Sequence, residues 1–273
     1  MRLFHYTTIG TLAHIMNNRS LKFNRLDQLD DITESEPFAD FNPLEYIFSC
    51  SFTYDPIENI PLWRMYANME TGIRIEFDSD KMFAPSFVYI TIPKHFHESC
   101  KFPPVIYTSL KAEDIVNEDY ILAYWNPKED DSLCSCIKLK NIIYIDEFQE
   151  KYKSLLAIKD NVENQEITRN INYNPSDFGF YKSKYWEFQK EIRGLIYAIP
   201  FAKDNKEISN VVSGKRMLKT KYILVPLSNE ALNNLKIILA PKATDAAYLI
   251  VKSLTRDFPN IKVQYSELNG KIR

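Results

Sequence analysis

The chain has 273 residues, 45% of them hydrophobic and 14% aromatic, with only 6 glycines and a formal charge of −2. That is ample apolar material for a packed core and argues against large-scale disorder. The balance of 34 basic against 36 acidic residues gives no whole-molecule attraction to nucleic acid or to an anionic membrane.

Residues 2–6 read as a strand, after which Thr7 or Thr8 caps a helix to about Asn17 with Leu12, Ile15 and Met16 on its apolar stripe. Leu21-Lys22-Phe23 is a second short strand. Residues 25–42 form a polar loop rich in Asp and Glu, and loops of that length in compact domains are often functional. A strand at 46–52 and a short helix at 62–68 follow. Gly72 to Asp78 is a clean alternating strand with Ile73, Ile75 and Phe77 inward. Further strands are predicted at 87–92, 104–108 and 136–145, then a helix at 147–158. The polar stretch 159–180 reads as a loop or insertion. A helical stretch at 182–189 leads into a strand at 191, followed by strands at 222–227 and 235–239, a helix at 244–256 and a last strand at 261–265. Strands outnumber helices and do not alternate with them. The expectation is a single α+β domain over residues 1–273, with loop insertions near 25–45 and 159–180.

The common nucleotide-triphosphate, dinucleotide and hydrolase motifs are absent, and six scattered glycines build no phosphate cradle. Cys134 and Cys136 are separated by one residue, which is not a zinc-knuckle spacing. A site from His95, His97 and Cys100 has no paired motif behind it, so no metal is expected and the thiols read as reduced. The sequence shows neither a signal-peptide pattern nor an apolar run of membrane-span length, and the expectation is a cytoplasmic protein.

The most informative local pattern begins at Glu191. In a strand, Glu191, Arg193 and Tyr197 share one face while Ile192, Ile196 and Ala198 share the other. A carboxylate and a guanidinium on an otherwise apolar strand suggest a site, with a surface ion pair worth under about 1 kcal/mol as the plainer alternative. His5 lies mid-strand on the face of Leu3, opposite Phe4 and Tyr6. Trp63 and Tyr66 are three apart and share a face of a regular helix, where core packing is the plainer reading.

Seven segments in order resemble a bacterial family, the domain of unknown function 2971. They are Phe4-His5-Tyr6-Thr7, the run from Leu21 to Asp31, Ser49-Cys50-Ser51-Phe52, Leu62 to Ala67, Gly72 to Asp78, Tyr185 to Arg193, and Ile237 to Pro241. Where the family usually shows Asn-Asp-Pro followed shortly by Glu, this chain has Asp30, Asp31 and Ile32 before Thr33 and Glu34, so the proline that sets that loop is missing. The layout resembles the ADP-ribosyltransferase fold, with split mixed and antiparallel sheets, flanking helices and NAD held as substrate between them.

That resemblance implies roles. His5 and Tyr6 would lie against the cofactor, with His5 bonding the adenosine-side ribose. Tyr66, helped by Trp63, would stack on nicotinamide, and Arg25 or Arg193 would grip the pyrophosphate. Glu191 would bond the nicotinamide ribose and stabilise the oxocarbenium-like transition state. A toxin or phage-defence effector restrained by an antitoxin or other regulatory partner fits such an activity, with the acceptor open among protein, nucleic acid and small molecule. Plain NAD hydrolysis is a further alternative.

Two other classes compete. A non-catalytic nucleotide- or nucleic-acid-binding domain would use the cluster Tyr181, Lys182, Lys184, Tyr185, Trp186 and Lys190. A metal-dependent phosphodiesterase would use Asp27, Asp30, Asp31 and Glu34.

Overall fold

The computed structural model describes residues 1–29, 31, 34, 42–91, 104–124, 136–163, 166–172, 174–201 and 217–272. Strand β1 (Arg2–Thr8) passes directly into helix α1 (Ile9–Asn18), because the Thr8 hydroxyl accepts a hydrogen bond from the Thr11 amide and caps the helix. Arg19, in the left-handed conformation, closes α1 and turns the chain into β2 (Ser20–Arg25). Strands β3 (Ile47–Thr53), β4 (Gly72–Asp78), β5 (Ser86–Tyr89), β6 (Val105–Thr108) and β7 (Tyr120–Leu122) follow. Then come β8 (Lys138–Asn141), β9 (Ile143–Ile145), helix α2 (Phe148–Ser154), β10 (Ala157–Glu163), β11 (Glu166–Asn172) and β12 (Tyr181–Ser183). The chain continues through β13 (Glu191–Pro200), β14 (Tyr222–Pro226), β15 (Lys236–Leu239), helix α3 (Asp245–Leu254) and β16 (Lys262–Tyr265).

Among the described residues, ten strands form one mixed sheet, ordered β14-β2-β3-β1-β4-β15-β16, with β13 on the other edge of β3 and β7 and β8 beside β13. Its pairings are antiparallel except β15 with β16. The large core covers one face, where Leu3, Phe23, Phe48, Ile73, Ile75, Ile192 and Ile196 meet Leu12, Ile15 and Met16 of α1 and Val251 of α3. Two smaller clusters occupy the opposite face. One joins Leu195 and Tyr197 to Leu26, Leu44, Phe148, Tyr152 and Phe178; the other joins Tyr6 and Ile238 to Leu62, Trp63 and Ala67. The domain is thus α+β, as the strand-rich, non-alternating pattern implied.

Several local expectations change. The stretch 159–180 is largely the hairpin β10–β11 followed by β12, and the helix expected over 147–158 stops at Ser154. Residues 182–189 are the end of β12 and a 3₁₀ turn, Lys184–Gln189. The helix expected at 62–68 is one α turn, Ile60–Leu62, running into a π turn, Trp63–Ala67. Within 25–45 the described residues include 3₁₀ turns at Leu26–Gln28 and Pro43–Tyr46.

Candidate functional site

The site begins with a fork in the sheet. One edge of β3 pairs with β13 along its whole length, from Ile47 to Thr53. Its other edge is shared: β2 pairs at Phe48 and Ser49, and β1 pairs only where Phe4 meets Thr53. Cys50, Ser51 and Phe52 therefore have no described strand on that edge. Beyond Phe4, β1 continues along β4 and leaves β3. The His5 ring bridges the gap, with Nδ1 2.9 Å from the Ser51 carbonyl. A carbonyl only accepts, so Nδ1 carries the proton and Nε2 is left as an acceptor. Burial lowers the His5 pKa despite that hydrogen bond, so the imidazole is neutral at pH 7.

A cavity of about 140 Å³ opens at this fork. Phe4, Tyr6, Phe52, Leu62, Tyr66 and Leu29 wall it, and His5, Ser51, Asp31, Lys182, Gln189, Glu191 and Arg193 supply its polar atoms. Drug-sized ligands occupy pockets of roughly 300 Å³ or more, so this one admits a single ring with its substituent at the mouth.

The floor is a buried ion network. Ser183 caps the 3₁₀ turn by accepting from the Tyr185 amide, and Lys190 ends it in the left-handed conformation, so that β13 starts at Glu191. The Glu191 amide donates to the Tyr144 hydroxyl at 2.9 Å. Arg193 is fully buried: its Nε donates to Glu191 Oε1 at 2.8 Å, and its two terminal nitrogens grip the Glu34 carboxylate at 2.7 and 2.8 Å. Nη1 also donates to the Gly179 carbonyl. Lys182 Nζ, on a side chain that is also buried, donates to Gln189 Oε1 at 2.9 Å and Glu191 Oε2 at 3.3 Å, lies 3.6 Å from Glu34, and sits over the Trp186 ring. Gln189 Nε2 in turn donates to the Tyr66 hydroxyl at 2.7 Å. Burial alone would raise the Glu191 pKa, but Arg193, Lys182 and the Ser51 hydroxyl outweigh it and hold the carboxyl at about 2. Glu191 is therefore an ionised carboxylate throughout the physiological range, and a poor general base.

The π turn places Tyr66. Asn59 caps the preceding α turn through its side chain, and the Asn68 amide bonds back five residues to the Trp63 carbonyl. This wider turn separates two residues that a regular helix would align. Trp63 is wholly buried, edge-on to Tyr6 at 4.9 Å, and gives its indole N–H to Glu58; Tyr66 points into the cavity.

The structure thus brings His5, Tyr6, Tyr66, Glu191 and Arg193 together, and it separates two expected members. Trp63 stands behind the wall as packing. Arg25 does not line the cavity: Asp27 holds it at 2.7 and 2.8 Å and the Leu218 carbonyl accepts its Nη1. The Glu191–Arg193 pair is not a surface pair, since both residues are buried. Sequence reasoning missed Lys182 and Gln189 as floor groups, and placed Glu34 only in a metal alternative. Asp27 and Glu34 are instead paired with arginines, and among the described residues no group of three or more His, Cys, Asp or Glu is arranged to hold a metal. Asp30, His95, His97, Cys100 and Cys134 lie outside the described residues. The basic-aromatic cluster is dispersed, with Lys182 in the floor, Lys184 on Asp146 and Lys190 on Asp55. No described helix is long and apolar enough to cross a membrane.

Residues 62–194, just under half of the chain, match the family described as Protein of unknown function (DUF2971). The matched segment contains Tyr66, Lys182, Gln189, Glu191 and Arg193 but not His5 or Glu34, so the family pattern and the fork contribute different parts of one cavity. No curated protein and no solved structure matches the chain.

Proposed function

We propose that the protein is an NAD-dependent ADP-ribosyltransferase, acting as a toxin or phage-defence effector. The observation that carries this reading is the convergence of His5, Tyr66 and Glu191 on one ring-sized cavity at a forked sheet. Nicotinamide enters against Tyr66. The neutral His5 accepts a ribose hydroxyl at Nε2. As the bond between ribose and the nicotinamide nitrogen breaks, its electron pair leaves with nicotinamide and positive charge develops on the sugar. A carboxylate fixed in place and already ionised stabilises that charge without reorganising. The acceptor then donates its own electron pair to the anomeric carbon and loses a proton. With water as acceptor the same chemistry is NAD hydrolysis.

The test is incubation of the purified protein with NAD, with and without cell lysate, followed by mass spectrometry of free nicotinamide. Wild type releases nicotinamide, and Glu191→Gln, which keeps an acceptor for Arg193, loses at least about 100-fold in rate. Unchanged release by folded Glu191→Gln refutes the role given to this carboxylate. A lysate-dependent adduct identifies the acceptor.

A further inference from the structure

Among the described residues the cavity has two cations in its floor, and neither is directed at a ligand. Arg193 spends Nε on Glu191, both terminal nitrogens on Glu34, and a further N–H on the Gly179 carbonyl. Lys182 is turned to Gln189 and Glu191, within reach of Glu34. Two carboxylates thus neutralise two cations before any ligand arrives. Asp31 is the further charged side chain on the described lining, and it too is a carboxylate. His5 adds no positive charge at neutral pH, because burial depresses its pKa. Arg74 stands behind the wall, against the Phe4 ring and on the Pro56 carbonyl, and does not line the cavity. A recognition site for pyrophosphate presents guanidinium or ammonium donors outward. Here the described cations turn their donors to the floor, and the walls are the aromatic rings of Phe4, Tyr6, Phe52 and Tyr66, the surroundings that favour a delocalised cation.

We propose that this cavity recognises the cationic N-ribosylated ring of its substrate and does not read the phosphates, so that a phosphate-free pyridinium nucleoside is a sufficient ligand. The proposal rests on the transferase reading for the choice of ring, while its recognition claim is separately measurable.

The unaltered 273-residue chain is titrated calorimetrically with nicotinamide riboside, with its uncharged dihydro form, and with NAD, and nicotinamide release from NAD is followed in parallel. The expected result is that the riboside binds within about tenfold of NAD and the dihydro form binds more than about tenfold weaker than the riboside, tenfold being about 1.4 kcal/mol. NAD binding more than about tenfold tighter than the riboside overturns the proposal, because the phosphates then supply recognition. Comparable binding of the charged and uncharged ribosides overturns it as well, and so does absence of riboside binding. Release of nicotinamide with any of those results leaves the transferase reading standing without this inference. Charge-selective riboside binding without release leaves the inference standing and removes the transferase reading.

Discussion

Glu34 and Arg193 lie 159 residues apart and meet as a bidentate pair, with both side chains essentially removed from solvent. The acidic loop thereby supplies one anion and the late strand another, Glu191, to the two ends of one guanidinium. Each charge is compensated only while the others remain.

Breaking a buried pair at one partner is therefore costly, because the remaining charge stays buried. Glu34→Ala is expected to lower unfolding free energy by about 3–5 kcal/mol, read as a shift in urea midpoint. Glu230→Ala, which removes an exposed partner of Lys81, leaves the midpoint essentially unchanged. Equal effects of the two would show that Glu34 is not buried against Arg193.

Acid sensitivity follows from two depressed pKa values. Glu191 titrates at about 2 in the fold against 4.5 ordinarily, so its contribution is complete above pH 4.5 and is lost as pH falls toward 2. The shift corresponds to about 3 kcal/mol. His5 is neutral in the fold below its ordinary 6.5, so the unfolded chain gains a proton first and stability declines as pH falls below 6.5. In urea titrations across pH, subtracting His5→Gln from wild type is expected to isolate the upper decline, and subtracting Glu191→Gln the lower. A flat difference curve for either variant rejects the corresponding assignment.

Arg25 gives a contrasting case. Its guanidinium is consumed by Asp27 and the Leu218 carbonyl, away from the cavity. Arg25→Leu is expected to cost about 1–3 kcal/mol through the buried carbonyl it leaves unpaired. For the proposed activity, nicotinamide release per folded molecule is expected to stay at the wild-type rate. Loss of release in a folded Arg25→Leu protein would place this residue back in the site.

What the sequence revealed depended on how local the physical signal was. Strands β4 and β13 were legible because their alternation is imposed by two faces with different neighbours, and Glu191 and Arg193 do share a face. The hairpin β10–β11 was not, because its apolar residues fall four apart; Ile158 opposes Ile171 and Val162 opposes Ile167 only once the strands pair. Lys182 resembled one of several surface lysines because the anions that bury it come from Glu34 and Glu191, outside its local segment. Trp63 and Tyr66 were aligned by an α-helical spacing that the π turn does not obey.

That π turn depends on the absence of a side chain at Gly72. A Cβ there would lie 2.2 Å from the Asn68 carbonyl oxygen and 2.7 Å from Ala67 Cβ. Neither neighbour is the end of a flexible side chain, so the turn itself must move. The Gly72 amide bonds to that same Asn68 carbonyl and its own carbonyl accepts from the Ala240 amide, which fixes β4 between the turn and β15. Gly72→Ala is expected to cost about 2 kcal/mol or more and to break the 2.7 Å contact between Tyr66 and Gln189. Because Tyr66 lines the cavity proposed to hold the ring, riboside affinity is expected to fall together with stability. Gly10→Ala provides the control: its new Cβ meets only Thr8 Oγ1, at an ordinary 3.6 Å, within α1. That substitution should stabilise the chain by about 0.5 kcal/mol and leave riboside affinity intact. If Gly72→Ala behaved like Gly10→Ala, the close approach of the π turn to β4, and the placement of Tyr66 that follows from it, would be wrong.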